Sequence, residues 1–516
     1  MSILSIILFV GIIALTLLIT YFSSKKTKST SDFYTAGGGL TATQNGLAVA
    51  GDFMSAASFL GITGAISLIG FDGFYMSIGN LLGFLFLMYL VAEPMRNLGK
   101  YTLADMITAR FQSNKVRGTA AASTLVISIF YMIAQLVGGG GLISLMLGID
   151  YWIAVVIVGV LMTIYVIFGG MTATSWVQII KAILLLGGSF VLTFLVFSKF
   201  NFSIIQMFDQ IKTATPFGAD LANPGNKYSN SLDMISLNIA LVLGVAGLPH
   251  LLIRFFTVKD AVTARKSVFY STWFIGAFFI MVVFLGFGAT AFVGWDNIAA
   301  ANPAGNMAAP LLALVVGGDF LFAFVSAIAF ATILAVVSAL VLTSASAFAH
   351  DIYGQIIKKG NITEKQQMKV ARISSIVVAI TSILLALAAK NLNVAFLSVL
   401  ALGIAASANL PVMLLTIYWN RFNTGGAVTG MLVGLISSVV LVLLSPNVWS
   451  PDGAAILTGD PLFPLANPTI FTVPLGFIGA YVGTILYAKK SPNKGRYEEV
   501  VFKSNTGFGI SAPENH

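Results

Sequence analysis

Thirteen long apolar stretches between residues 3 and 487 constrain the fold of this chain most strongly. A helix crosses the apolar core of a bilayer with about 20 residues, and each stretch is long enough to do so. Lipid offers no hydrogen-bond partners, so the spanning backbone must form helices or a closed barrel. The stretches are apolar on all sides, whereas barrel strands alternate apolar and polar residues. We therefore predict an all-α integral membrane protein with about 13 transmembrane helices.

The composition agrees with this class of protein. The 516 residues are 57% hydrophobic and only 9% charged, whereas soluble domains average roughly 25% charged residues. There is no cysteine, which excludes disulfides and thiol chemistry. The predicted spans, numbered 0 to 12, are Ile3–Tyr21, Thr43–Ile69, Gly73–Val91, Thr119–Leu145, Trp152–Phe168, Thr174–Phe197, Met234–Phe255, Val268–Phe292, Phe320–Ala347, Ile373–Ala389, Val394–Tyr418, Ala427–Leu444 and Phe471–Tyr487.

The Lys and Arg residues predict the orientation of the chain, because cytoplasmic loops of membrane proteins are enriched in them. If the N-terminus lies outside, the inner loops hold 23 of the 28 Lys and Arg residues, including those in Lys25–Lys28. We therefore predict a multi-pass protein of the cell (plasma) membrane, with its N-terminus outside and its C-terminus in the cytoplasm. Topology thus explains the net charge of +9 without nucleic-acid binding. The basic residues of the outer loops are Lys199, Lys212, Lys227 and Lys390.

Two spans contain helix-breaking residues near their middle. Span 1 contains the run Gly51–Ser55, and span 6 contains Gly244 and the run Gly247–His250 with Pro249. Proline removes a backbone donor and glycine loosens a helix, so both spans are predicted to unwind. Transporters bind ions and anions at such half-helix ends, and a separation of five spans is expected of two inverted repeats. The alternative is that these small residues only allow close helix packing.

Several motifs resemble those of the sodium:solute symporter family, and the resemblance covers all thirteen spans. The runs Gly51–Ser58, Gln135–Gly141 and Gly247–His250 are most similar to the cation/acetate (short monocarboxylate) permeases. The resemblance implies a LeuT-like core of five plus five inverted-repeat helices with discontinuous helices 1 and 6. It also implies alternating access around a central site. The other motifs that carry the resemblance are Thr102–Phe111, Tyr165–Ala173, Arg254–Phe256, Ala264–Ser267 and Asp351–Tyr353.

This organisation predicts four parts of the chain. Residues 1–40 form an extra N-terminal helix and a basic inner loop, and residues 41–419 form the inverted-repeat transport core. Residues 420–490 form two peripheral helices, and residues 491–516 form a cytoplasmic tail. Within the core, 41–200 is the first repeat, 201–231 an outer loop and 232–419 the second repeat. The segments between the spans are too short for a catalytic domain.

The resemblance also implies a cation site between spans 1 and 8. On span 1 the family uses backbone carbonyls, which correspond to those of Gly51 and Met54. On span 8 it uses two hydroxyl side chains, but Ala335 and Val336 stand at those positions. Ser338 lies close enough along the span to restore one ligand, as does Thr332.

Span 5 adds two residues to the predicted cation site. Gln178 stands where many members of the family have an aspartate that assists sodium, and Lys181 follows one turn later. A lysine within the membrane points to function, because a charge in apolar surroundings is costly. Desolvation would let Lys181 exchange a proton; alternatively, its side chain extends to the cytoplasmic interface. The expected coupling ion is therefore Na+, with H+ as the alternative.

The predicted solute site lies at the two breaks. The sequence leaves three roles open for Asp52. It could ligate a cation, carry a proton, or accept hydrogen bonds from the unwound backbone. For His250 the sequence also leaves three roles open. It could titrate near neutral pH, donate a hydrogen bond to a carboxylate, or be a hydrogen-bonded structural residue. Tyr131 is a further residue expected to line the pocket. The residues predicted to bind the solute are Asp52, Phe53, Ser55, Gln135, Gly247, Pro249 and His250.

The leading hypothesis is a secondary active symporter that couples inward Na+ movement to uptake of a small monocarboxylate such as acetate. The alternatives are a proton-coupled symporter, a Na+ symporter for proline, a sugar or a vitamin, and, less favoured, a receptor or a channel. The three histidines form no zinc motif and there is no phosphate-binding loop, so neither an enzyme nor a cofactor is predicted. The expected partners are the solute, a monovalent cation and the bilayer, without nucleic acid or an obligate protein partner.

Overall fold

A computed structural model describes residues 3–24, 30–226, 230–451, 455–488 and 494–508, and this part of the chain is almost entirely helical. Lys25–Lys28, Lys227 and Lys489 of the predicted loops lie outside it. Two short strands, β1 (Trp449–Ser450) and β2 (Leu457–Thr458), pair in parallel. The helices are α1 (Ile3–Ser24), α2 (Thr30–Thr35), α3 (Ala42–Phe53), α4 (Ile62–Ile69), α5 (Phe71–Leu90), α6 (Ala92–Leu98), α7 (Leu103–Phe111), α8 (Asn114–Leu147), α9 (Tyr151–Lys199), α10 (Ile204–Ile211), α11 (Ser231–Gly244), α12 (Pro249–Leu252), α13 (Ala261–Val293), α14 (Trp295–Ala301), α15 (Ala308–Ser346), α16 (Glu364–Ala388), α17 (Val394–Tyr418), α18 (Thr424–Leu443), α19 (Thr469–Leu486) and α20 (Lys494–Thr506).

The helices confirm the all-α membrane class. Within the described ranges, ten helices are long and apolar enough to cross a membrane, and the bent pair of Ala42–Phe53 and Ala57–Ile69 gives an eleventh. Tyr151–Ile164 is a shorter apolar helix, and α1 covers the predicted span 0. The number thirteen therefore stays a prediction.

Two long helices are interrupted at a glycine. Gly170 in α9 has φ 62° and Gly318 in α15 has φ 65°, a left-handed conformation that glycine adopts without steric cost. The first interruption separates the predicted spans 4 and 5, and the second lies just before the predicted span 8. The helical segment Ala308–Gly317 that precedes it was not predicted from the sequence.

The discontinuous helices lie in the centre of the fold. The axis bends by 57° between Ala42–Phe53 and Ala57–Ile69, and the second break follows α11. A capping box formed by Thr41 and Gln44 fixes the start of α3. The helices α15 and α17 are the most thoroughly buried spans, as expected of elements that surround a central site.

Short helices cover the end of the molecule at which the loops rich in Lys and Arg lie, which we call the basic face. Here α20 packs against α6 and α7, within the segment predicted as a tail. Arg496 Nη2 donates to the carbonyl of Ala109 at 2.9 Å, and the Arg110 guanidinium lies 4.4 Å from the ring centre of Tyr497. The segment predicted as a tail therefore includes a helix docked on the short helices of the basic face.

Candidate solute and cation site

The break in the first core helix exposes backbone groups that side chains then satisfy. Met54 leaves the helical conformation with ψ 82°, and the helix resumes at Ala57. The N–H of Ser55 donates to Ser58 Oγ at 2.8 Å, and the N–H of Ala56 donates to Gln135 Oε1 at 3.2 Å. Because buried backbone groups need partners, Ser58 and Gln135 stabilise the unwound segment.

The second break lies between α11 and α12. Leu248 is extended, with ψ 115°, and Pro249 begins the next helical turn. Asn409 Nδ2 of α17 donates to the carbonyl of Gly247 at 2.8 Å. The close approach of α17 requires glycine, since a Cβ on Gly244 or on Gly247 would lie 2.4 Å from a carbonyl oxygen of α17.

A fully buried ion pair joins the two broken helices. Arg254, in the turn that follows α12, binds both carboxylate oxygens of Asp52. The Arg254 guanidinium also donates to Ser175 Oγ at 2.7 Å. Gln178 Nε2 donates to Asp52 as well. The Asp52 carboxylate is thus held by two partners, and Arg254, which the sequence placed in an inner loop, belongs to the centre of the protein.

The residues predicted to hold the cation lie where α9 meets α3 and α15. Gly51 packs against Gln178, because a Cβ on this glycine would lie 2.5 Å from the Gln178 carbonyl oxygen. Lys181 is buried, and its Nζ donates to the carbonyl of Thr332 at 3.2 Å. The side chain therefore reaches α15 rather than the cytoplasmic interface.

The remaining predicted cation ligands are also buried. Met54 and Ala335 lie in the core, and Ala335 brings only backbone oxygen to the site. Ser338 Oγ donates to the carbonyl of Leu334 within its own helix at 2.7 Å. The hydroxyl of Thr332 is buried without a hydrogen-bond partner, which leaves it available to a ligand.

A small cavity of about 20 Å³ lies beside the first break. The first broken helix, α5, α8, α11 and α17 form its wall, and its polar groups are hydroxyls and one amide. Phe53 lines it directly, as do the residues Asn80 and Ser398, which sequence analysis missed. Its lining is Phe53, Ala57, Ser58, Ile62, Met76, Asn80, Tyr131, Leu241, Ala395, Ser398, Val399 and Leu402.

The other predicted solute residues lie behind this wall. Gln135 Nε2 donates to Ser55 Oγ at 3.4 Å, so both belong to the layer next to the cavity. His250 is fully buried, and neither of its ring nitrogens has a hydrogen-bond partner. Its ring lies 5.1 Å from that of Tyr131, which lines the cavity. Gly247 and Pro249 shape the second break, whereas Asp52 turns towards Arg254.

A second cluster of charged side chains lies on the basic face. Ligand atoms of Asp105, His350 and Asp351 lie within 4.8 Å of one another, a spacing that metal ions use. However, Arg117 Nη1 lies 2.7 Å from both carboxylates. The guanidinium already supplies the positive charge that a metal would bring, so the cluster is a salt-bridge network.

Sequence similarity to known proteins extends over almost the whole chain. Residues 33–434 match the family "SSF: Sodium:solute symporter family". The chain is 65% identical, over 98% of its length and 99% of the relative, to the uncharacterized symporter YwcA of Bacillus subtilis (strain 168).

Two solved structures share the fold. One is the substrate-bound, outward-open state of a Na+-coupled sialic acid symporter, with a TM-score of 0.69, 18% identity and coverage of 96% of this chain and 99% of that chain. The other is Mhp1, a nucleobase-cation-symport-1 family transporter, in a closed conformation, with a TM-score of 0.54, 12% identity and coverage of 91% and 98%. These relatives are transporters and not enzymes, and the LeuT-like fold is confirmed. The chain belongs to the sodium:solute symporter family.

Proposed function

We propose that this symporter carries a small monocarboxylate such as acetate together with a cation, by alternating access. The main support for this proposal is the net charge of the side chains buried at the centre of the protein. In their ordinary charge states, the buried groups Asp52, Arg254 and Lys181 sum to one positive charge. An uncompensated buried charge is costly. One bound monocarboxylate anion would neutralise the charge of a protonated Lys181, or the charge of a bound Na+ where Lys181 is neutral.

The size and lining of the cavity support a small solute. A volume of about 20 Å³ holds one or two water molecules, which favours a molecule of acetate size over a sugar or a vitamin. Asn80 and Tyr131 offer hydrogen-bond donors to a carboxylate. The unpartnered ring of His250 behind Tyr131 is a further donor that a small rearrangement would bring to the solute.

Family membership makes Na+ the first candidate for the coupling ion. Backbone carbonyls suit a hard cation such as Na+, and the broken helix supplies them near Gly51 and Met54. The free hydroxyl of Thr332 would add a ligand from α15. In this proposal Lys181 only anchors α9 to α15.

The position of Lys181 favours H+ as the second candidate. Its ammonium group donates to the Thr332 carbonyl of α15, between the helices that would hold Na+. Ala335 and Val336 offer no side-chain oxygen that could bind Na+ at these positions of α15. Release and uptake of a proton by Lys181 would then take the place of Na+ binding.

Uptake of labelled acetate into proteoliposomes tests the proposal. A Na+ gradient at equal pH is compared with a pH gradient without Na+, for the unmodified chain and for Lys181→Met. Lys390→Met, at an exposed lysine, is the matched control. Accumulation driven by Na+ that survives Lys181→Met supports Na+ coupling. Accumulation driven by pH that only Lys181→Met abolishes, with acetate exchange retained, supports H+ coupling. Accumulation in neither gradient would contradict acetate as the solute.

A further inference from the structure

A single amide side chain joins three segments at the end of the molecule opposite the basic face. Asn393 Oδ1 accepts from the N–H of Ala395 at 2.8 Å and so caps α17. Its Nδ2 donates to the carbonyl of Ala304 at 2.8 Å and to that of Gly61 at 3.2 Å. Asn393 is buried, and its donors and acceptor are thus shared among α17, the turn before α15 and the first broken helix.

A second asparagine reinforces the same junction from the other side. Asn306 Oδ1 accepts from the N–H of Val394 at 3.1 Å, and its Nδ2 donates to the carbonyl of Leu392 at 3.3 Å. The turn before α15 and the start of α17 are therefore held by reciprocal hydrogen bonds. The first broken helix is attached to them through Asn393.

The three segments are also in direct backbone contact at glycine residues. A Cβ on Gly64 would lie 2.2 Å from the carbonyl oxygen of Gly305, and a Cβ on Gly61 would lie 2.4 Å from the backbone nitrogen of Ala395. No side chain fits between these surfaces. We call this junction of Gly61, Gly64, Gly305 and Asn393 the glycine seam.

The glycine seam separates two cavities. On one side is the small cavity of the candidate solute site, which Ile62 and Ser398 help to line. On the other side is a cavity of about 280 Å³, which Gly64, Asn391 and Asn393 help to line. A solute that passes between the two cavities requires the seam to separate.

We propose that the glycine seam is the gate of the face opposite the basic loops, and that Asn393 is the residue that holds it closed. The proposal rests on the chain being a transporter and not on the identity of its solute or ion. Opening removes the two hydrogen bonds from Asn393 Nδ2, while its Oδ1 continues to cap α17. The gate therefore opens without unwinding the helix that lines the solute cavity.

Labelling of one introduced thiol tests the gate without any solute. The chain has no cysteine, so Ser398→Cys places a unique thiol in the wall of the solute cavity. A bulky charged thiol reagent is added to the protein in nanodiscs, and the labelling rate is divided by that of Lys390→Cys, at an exposed position. Asn393→Asp keeps the capping oxygen but replaces the donor with a repelling charge. We expect it to raise the relative rate about tenfold or more, since two hydrogen bonds are lost.

Two further variants make the result decisive. Asn391→Asp adds the same charge two residues away and should leave the labelling rate unchanged. Gly64→Ala adds a methyl group on the first broken helix that collides with Gly305 across the seam. It should therefore raise the labelling rate as Asn393→Asp does. If Asn393→Asp does not yield monodisperse protein, Gly64→Ala decides alone. Unchanged labelling in the folded seam variants, or an equal rise in Asn391→Asp, would overturn the proposal.

Discussion

At the scale of single residues, the buried pair of Asp52 and Arg254 has the greatest consequence for stability. Both side chains are fully buried, so removal of one leaves an uncompensated charge, which typically costs 3–5 kcal/mol. We expect Asp52→Asn and Arg254→Gln each to lower the free energy of unfolding by about 4 kcal/mol. Because the partners are coupled, the double variant should lose clearly less than the sum. Unfolding curves of the purified variants in detergent measure this, and additive losses would contradict the coupling.

The network around Asp105 predicts a pH dependence of stability. Burial alone would raise the pKa of Asp105, but the His350 hydrogen bond and the Arg117 charge outweigh it and hold this pKa well below its usual range. A carboxylate with a lowered folded-state pKa stabilises the fold above its unfolded pKa of about 3.9, and the contribution is lost as the pH falls below that value.

Replacement of this carboxylate tests the pH dependence. Asp105→Asn should cost about 2 kcal/mol at pH 7, as expected for charged hydrogen bonds. The difference from the unmodified chain should shrink as the pH falls below about 4, because the unfolded carboxyl then takes up a proton that the folded one does not. Melting curves at several pH values measure the difference. Asp296→Asn, at an exposed aspartate, is the control, and a difference that stays constant with pH would refute the assignment.

At the scale of secondary structure, the sequence predicted those features that depend on local chemistry. Gly51 and Pro249 mark both helix breaks, because glycine and proline weaken a helix wherever they occur. The segment Ala308–Gly317 was missed because it is too short to register as a span. The docking of α20 depends on contacts of Arg496 and Tyr497 with distant loops, which no local pattern indicates.

The same distinction applies to the site. Phe53, predicted from the first break, lies at the cavity because it belongs to the broken helix itself. Asn80 is an amide in the middle of an apolar span, and a polar side chain in such a position indicates a functional site. The sequence therefore contained a sign of its role. Arg254 is 202 residues from Asp52 in the chain, and only the folded arrangement of the broken helices brings the two together.

The contact between the second break and α17 makes a prediction about glycine. A Cβ on Gly244 or Gly247 would collide with the backbone of α17, and overpacking a tight contact typically costs 1–3 kcal/mol. We expect Gly244→Ala and Gly247→Ala to lower the melting temperature in detergent. Gly187→Ala is the matched control, because no atom lies near its Cβ position in α9, and alanine favours a helix over glycine. A loss of equal size in Gly187→Ala, where helix propensity alone favours alanine, would contradict packing against α17 as the cause.

At the scale of the whole molecule, the charged loops separate onto two ends. On the basic face, Arg265 pairs with Glu93 at 3.1 Å, and Arg96 Nε donates to the carbonyl of Val258 at 2.8 Å. At the opposite end, Lys390 lies over the ring of Tyr151. This separation extends the sequence argument, because loops distant in the chain converge on the same basic face.

Because cytoplasmic loops attract Lys and Arg, we expect the basic face to be cytoplasmic and the N-terminus to lie outside. The absence of cysteine makes the test direct. Asn361→Cys places a thiol at an exposed position of the basic face, and Lys390→Cys places one at the other end. In intact cells an impermeant maleimide should label Lys390→Cys at once and Asn361→Cys only after the membrane is permeabilised. The reverse pattern would invert the protein and make the glycine seam a cytoplasmic gate, whereas labelling of both in intact cells would indicate insertion in two orientations.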